Sequence, residues 1–345
     1  MNRKTEKDKL CLYHYFDRRT GPFRSLSAVS DKEAAEVLAG IKAERPDSMC
    51  AGRDETYLGK RRRCESLLLS GAKAKGVNTS NNKPHYMVLG HSPWLMSWYE
   101  RGDFICIPIE EFDISSLSFT YGDSMPTFSP AVNDGKEYRN TVYTYEEILD
   151  IIDRYGLPQE NDPEGINGPE RYIEAQVWSD ETVGNYYYTA YVLKMQYTGK
   201  NVPDSGISCV PFTSDRTAEY IRLYNESFYP VRRVLDIEPY NWYHITADLS
   251  ERTENTFLLI GGDRIIGTVS CIGNEVDDLF VRADERGRGY GRRLLLWAVS
   301  HIREYSEEPV TLHVADINDA VRLYAKVGFS KVEKTVIKNV KRVKF

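Results

Sequence analysis

Residues 275–304 read EVDDLFVRADERGRGYGRRLLLWAVSHIRE, and the order of residue types in them decides the fold of the C-terminal half. Leu279, Phe280 and Val281 give a short apolar strand. A charged turn follows, then the series Arg286-Gly287-Arg288-Gly289-Tyr290-Gly291, then a helix carrying Leu294, Leu295, Trp297, Ala298 and Ile302. Glycines take backbone angles closed to other residues and let an anion approach the main chain. The first amides of a helix lack internal partners and lie at the positive end of its dipole. Arg286, Arg288, Arg292 and Arg293 add positive charge around the same point. The stretch therefore predicts a pyrophosphate site.

Glycine spacing narrows the choice of pyrophosphate. The dinucleotide fingerprint G-x-G-x-x-G does not fit glycines at 287, 289 and 291, and no Gly-Lys-Ser/Thr closes the loop as a P-loop requires. The stretch resembles motif A of the GNAT superfamily of N-acetyltransferases: Arg or Gln, two residues, Gly, one residue, Gly or Ala, here Arg286, Gly289 and Gly291. Downstream, LHVADINDAVRLYAKVGFSKV (312–332) resembles motif B of that family through Leu323, Tyr324, Lys326, Gly328 and Phe329. A helix with a glycine C-cap would account for LYAKVGF alone, but not for its pairing with the first motif.

The surrounding pattern agrees. Residues 207–212 read as a strand and 215–228 as an amphipathic helix. Residues 230–246 form an aromatic, irregular segment. Two strands, 256–260 and 265–271, flank the hairpin signal Gly261-Gly262-Asp263-Arg264. After the opening stretch come a strand at 310–314, a helix at 319–327 and a last β region from Lys331. This order matches the GNAT fold, a mixed central sheet flanked by helices, over residues 207–345.

The resemblance implies an acetyl-CoA-dependent N-acetyltransferase, with acetyl-CoA as cosubstrate and transfer without a covalent enzyme intermediate. It assigns Arg286, Gly287, Arg288, Gly289, Tyr290 and Gly291 to the pyrophosphate, and the main chain of Phe280 and Val281 to the pantetheine arm. Tyr324 would protonate the departing thiolate. An amine attacks only when neutral, so a base must take its proton. Asp278 and His313 are the candidates, and an imidazole ordinarily titrates near neutrality. Asn318 stands six residues before Tyr324 where relatives carry seven; it is assigned to the cofactor, with helix capping as its other reading. The expected partners are acetyl-CoA and an amine on a small molecule, peptide or protein. A homodimer is left open, and residues 228–246 are expected to shape the acceptor side.

At 345 residues two domains are expected. We place the first at 1–198, a polar linker TGKNVPDSG within 198–206, and the second at 207–345. The first is aromatic-rich, holding most of the 24 tyrosines. It reads as α+β: strands at 10–16, 104–109, 117–121, 172–178 and 186–197, and helices at 31–41, 55–69 and 145–155, with His85 onward irregular. In this domain His14, the strand Ser118-Phe119-Thr120-Tyr121 and Glu174 resemble the spaced His, Tyr/Ser and Glu strands of ADP-ribosyltransferase-like folds. That resemblance implies an NAD-binding alternative with an accessory GNAT domain; a non-catalytic acyl-CoA sensor or scaffold is a third reading.

Composition bounds the rest. A net charge of -6 argues against general nucleic-acid binding. Residues 1–10 are charged with no apolar run behind them, and no stretch reaches membrane-span length, so a cytoplasmic protein is expected. Six cysteines without C-x-x-C spacing, and His85 and His91 without partner ligands in sequence, predict reduced thiols and no metal site.

Overall fold

The computed structural model describes residues 10–241 and 253–342, which form two compact units. The first holds the chain to Tyr188 and takes back the C-terminal end from Asn339; the second is Thr189–Lys338. Residues 1–9 and part of the expected acceptor segment, 242–246, lie outside the described residues.

In the first unit, β1 (Cys11–Asp17), β2 (His85–Leu89), β3 (Gly102–Pro108), β4 (Leu117–Tyr121) and β5 (Ile173–Val177) form one antiparallel sheet in the order β3-β1-β2-β5-β4. Helix α1 (Asp31–Glu44) starts at a capping box in which Ser30 and Glu33 satisfy each other's orphan donors. Helix α2 is Tyr57–Ala74. Helix α3 (Tyr145–Tyr155) has the same device in Thr144 and Glu147 and ends at Gly156. Alternation sorts the sheet's faces. Leu12, Met87, Leu89, Leu117, Phe119, Ile173, Ala175 and Val177 pack with Ile148 and Ile151 of α3. The other face is polar, with Ser118, Thr120, Glu174 and Gln176 all buried on it. Strand β2, read as irregular from the sequence, forms because its backbone pairs with β1 on one side and β5 on the other.

In the second sheet β6 (Tyr187–Tyr197), β7 (Val210–Pro211), β8 (Thr256–Gly261), β9 (Arg264–Ile272), β10 (Glu275–Val281), β11 (Thr311–Ala315) and β12 (Phe329–Lys341) run in the order β12-β6-β11-β10-β9-β8-β7. Helix α4 is Thr217–Leu235, α5 is Tyr290–Ile302 and α6 is Ala320–Val327. Strand β6, assigned from the sequence to the first domain, instead pairs antiparallel with β11 from Thr311↔Gln196 to Ala315↔Val192. Helix α4 also differs from the expected stop at Phe228, for it runs through Pro230 to Leu235. A proline inside a helix costs about 3 kcal/mol. The apolar stripe continues past it to Leu235, which is 2% exposed, and that burial offsets the lost hydrogen bond.

Gly267 lets α5 lie close on the sheet: a Cβ there would stand 2.7 Å from Leu294 Cδ1 and 2.8 Å from the Phe280 carbonyl oxygen. The core between them includes Leu294, Leu295, Ala298, Val299, Leu312, Val314 and Tyr324. No described helix is long and apolar enough to cross a membrane. The six cysteines are free, and among the described residues no group of three or more His, Cys, Asp or Glu side chains is placed to hold a metal ion.

Candidate active site

The site grows out of the end of β10. Strands β10 and β11 are parallel neighbours, yet they pair only at Glu275↔Thr311 and Val276↔Leu312. Just beyond, the register of β10 against β9 shifts between Asp277 and Phe280, and Asp278 takes a left-handed φ of 45°. The two strands thus part at Asp277 on one side and His313 on the other. A bulge of this kind re-aims a strand without ending it.

Phe280 is buried under α4, its ring 5.7 Å from that of Tyr220, 6.0 Å from Tyr224 and 5.9 Å from Phe228. Its side chain is therefore an anchor, and its backbone is what it can offer a ligand. Val281 is also buried, and its carbonyl accepts a hydrogen bond from Arg286 Nε at 3.1 Å. Arg286 further donates to Ser227 Oγ of α4 at 3.4 Å, so this arginine ties the loop to strand and helix.

From Arg286 to Gly289 the loop is exposed. Gly287 and Gly289 have φ of 78° and 84°, and Gly289 is the N-cap of α5 with no side chain capping the helix. A Cβ at either glycine would meet nothing within 4 Å, so the loop backbone faces open space. Tyr290 begins the helix; Gly291 follows, where a Cβ would come 3.2 Å from Leu323 of α6. Arg288 pairs with Glu285 at 3.0 Å, and Glu285 also binds Arg264. An uncapped helix N-terminus behind left-handed glycines and beside arginines fits a phosphate group.

Tyr324 on α6 is 8% exposed, and burial, with the charge of Asp277 adding to it, pushes its phenol up to about 12. It is therefore a donor that stays protonated, not a base. His313 projects from the opposite face of β11, since its neighbours Leu312 and Val314 belong to the core that holds Tyr324. Its Nδ1 lies 2.6 Å from Glu275 Oε1. Asp278 accepts from the Tyr224 hydroxyl at 3.2 Å, and its carbonyl from Thr268 Oγ1 at 3.4 Å. Asn318 Oδ1 accepts from the Ala320 amide at 2.9 Å, so its side chain caps the first turn of α6. Sequence reading missed Glu275 and Tyr224. The first has meaning only in the parallel register of β10 and β11. The second sits at i, i+4 spacing from Tyr220 and Phe228, which marked it only as apolar stripe.

In the first unit His14 and Glu174 do not come together. His14 alternates with Leu12 and Phe16 on the apolar face, whereas Glu174 lies between Ile173 and Ala175 on the polar one. Both nitrogens of His14 serve the fold: Nδ1 donates to the Tyr86 carbonyl at 2.9 Å, and Nε2 accepts from the Phe23 amide at 2.8 Å. The three-residue pattern that suggested an NAD-binding reading is not assembled there.

A seven-stranded mixed sheet opens between two parallel strands, with a glycine loop and an uncapped helix at the opening, and gives the C-terminal unit the GNAT fold. Residues 217–329 match the model of the Acetyltransferase (GNAT) family, and this part of the chain is a GNAT acetyltransferase domain. A mycothiol acetyltransferase of Thermobispora bispora is 39% identical over 72 residues, which span 21% of this chain and 22% of that relative. The chain thus matches about a fifth of that protein's length. Among solved structures, a GCN5-related N-acetyltransferase from Sphaerobacter thermophilus aligns at 20% identity and TM-score 0.34, over 46% of this chain and 54% of its own. Another from Kribbella flavida aligns at 13% identity and TM-score 0.30, over 81% and 94%.

Proposed function

We propose that the chain divides its work along its two compact units, and that the second transfers an acetyl group from acetyl-CoA directly to a primary amine. The observation that carries this reading is the exposed Gly287–Gly289 turn opening onto the uncapped start of α5, where β10 and β11 part. When bound, acetyl-CoA supplies an acyl thioester, activated toward amines. In this reading the amides and arginines from Arg286 to Gly291 hold its pyrophosphate, and the β10 backbone at Phe280 and Val281 orients the acyl arm. Tyr324 gives a hydrogen bond to the leaving sulfur from the α6 side. His313 receives the amine's proton from the other face. With Nδ1–H donated to Glu275, the basic nitrogen of His313 is Nε2, an orientation of the kind that activates a general base. Asp278 positions α4 through Tyr224.

Calorimetry and a free-thiol release assay with an amine panel test this reading on the full chain. A fragment beginning at residue 207 would lack β6, the strand between β12 and β11. Absence of acetyl-CoA binding would sink it, and binding without turnover would favour an acyl-CoA sensor. Tyr324→Phe should lower kcat about 30-fold, the worth of one hydrogen bond to a charged group, and leave the acetyl-CoA Kd unchanged. Because the phenol is held at about 12, kcat should show no alkaline fall that depends on Tyr324 below about pH 10. A break there that vanishes in Tyr324→Phe would place the phenol well below 12, and a Tyr324→Phe variant with kcat unchanged would rule out the donor role. His313→Gln should lower kcat about tenfold at neutral pH and leave the acetyl-CoA Kd unchanged, with Glu275→Gln acting in the same direction. A His313→Gln variant with the parent's kcat would assign the base elsewhere.

A further inference from the structure

We propose that the first unit carries a second small-molecule site, a cavity that takes a zwitterion such as an amino acid, carboxylate on the floor and cationic group at the rim. This goes beyond acetyl transfer and does not depend on it. The cavity has a volume of about 410 Å³ and lies between residues 44–50, after α1, and 97–100, a size suited to a small ligand.

Its floor is Asp17, which is 3% exposed. Arg19 donates to Asp17 through Nε at 2.8 Å and Nη2 at 2.6 Å, and Arg45 through Nη1 at 3.1 Å. Arg19 Nη1 also reaches Glu100 at 3.0 Å. These two arginines and two carboxylates balance in charge. Two donors are left over: Arg45 Nε–H and Trp98 Nε1–H are buried, and neither has a hydrogen-bond partner among the described residues. Both residues line the cavity. Buried donors without partners call for an acceptor, and the two oxygens of one carboxylate would serve both.

The rim argues against a simple anion. Glu44 and Asp47 line the same cavity and are exposed. Their charges oppose a bare anion and favour a ligand carrying a cation at its other end. Trp98 and Tyr99 give the space aromatic walls that suit an apolar side chain. An ordered water could satisfy the same two donors, and binding measurements separate that case.

The test uses the full chain, with calorimetry and thermal shift against glycine, L-phenylalanine, acetate, methylamine and inorganic phosphate. At least one of the two amino acids should bind saturably and raise Tm, with acetate, methylamine and phosphate about tenfold weaker or more. Trp98→Phe, which keeps the ring and removes the N–H, and Arg45→Lys should each weaken amino-acid binding about tenfold. Asp47→Asn, at an exposed position that does not threaten folding, should weaken amino-acid binding and leave acetate binding no weaker, or stronger. The proposal is overturned if neither amino acid binds, if acetate or phosphate binds equally well, or if Asp47→Asn leaves the amino-acid affinity unaltered.

Discussion

Gly289→Val is expected to weaken acetyl-CoA binding about 150-fold, or about 3 kcal/mol, while the C-terminal unit stays folded. Gly289 has φ 84° at the N-cap of α5, and left-handed backbone costs a residue with a Cβ about 1–2 kcal/mol, more for a branched one. In the free protein the exposed loop can relieve that strain by turning its amides away. Binding then has to restore the left-handed turn, so the strain returns as lost affinity. The valine side chain would also stand in space that now meets no protein atom within 4 Å, where the phosphate has to approach. Loss of the contacts between anion and helix end supplies the remainder. Gly262→Val is the control: it too is left-handed, with φ 63° and nothing within 4 Å, but lies in the β8–β9 hairpin. It should lower stability and spare acetyl-CoA affinity. Calorimetry on both variants decides, and a Kd for Gly289→Val within about threefold of the parent would remove the loop from the cofactor site.

The loop could be read in advance because its signals are local. Glycine backbone freedom, a helix start and clustered arginines need no knowledge of distant residues, and the same holds for α3, whose start at Thr144 and stop at Gly156 lie within a dozen positions. Features set by distant pairing stayed hidden. Strand β2 has no alternation of its own, and its place follows from Val88 meeting Tyr13 on one side and Glu174 on the other. Strand β6 looks like the end of the first domain until β11 pairs with it. Asp278 and His313 were candidate bases of equal standing in the sequence. They separate once Asp278 is seen bonded to Tyr224 and His313 set against Glu275 at the strand opening. Helix α4 shows the remaining difficulty: local rules stop it at Pro230, and burial of Leu235 carries it on.

Glu174→Gln should stabilise the protein by on the order of 3 kcal/mol at pH 8 and by almost nothing at pH 4. Glu174 is 4% exposed, and burial, with the neighbouring charge of Asp123 adding to it, raises its carboxyl from 4.5 to about 7, against the opposing pull of Arg61 and hydrogen bonds from Ser124 and Gln176. A carboxyl raised in the folded state contributes stability that is full below 4.5 and is lost as pH climbs through 7. The amide cannot ionise, so the variant escapes that loss. His14 acts with the opposite sign. Burial lowers its imidazole from 6.5 to about 4, so its contribution is present above 6.5 and is lost as pH falls through 4. Between about pH 4.5 and 6.5 the two slopes oppose each other, one group losing stability as pH rises and the other gaining it. Glu174→Gln should therefore expose a rise in stability over that window which the parent conceals. Urea midpoints of the full chain, measured as the difference between variant and parent across pH 4 to 8, cancel every group that the two proteins share. A difference that does not change with pH would mean that Glu174 titrates in the fold as it does in the unfolded chain, with Arg61 offsetting its burial.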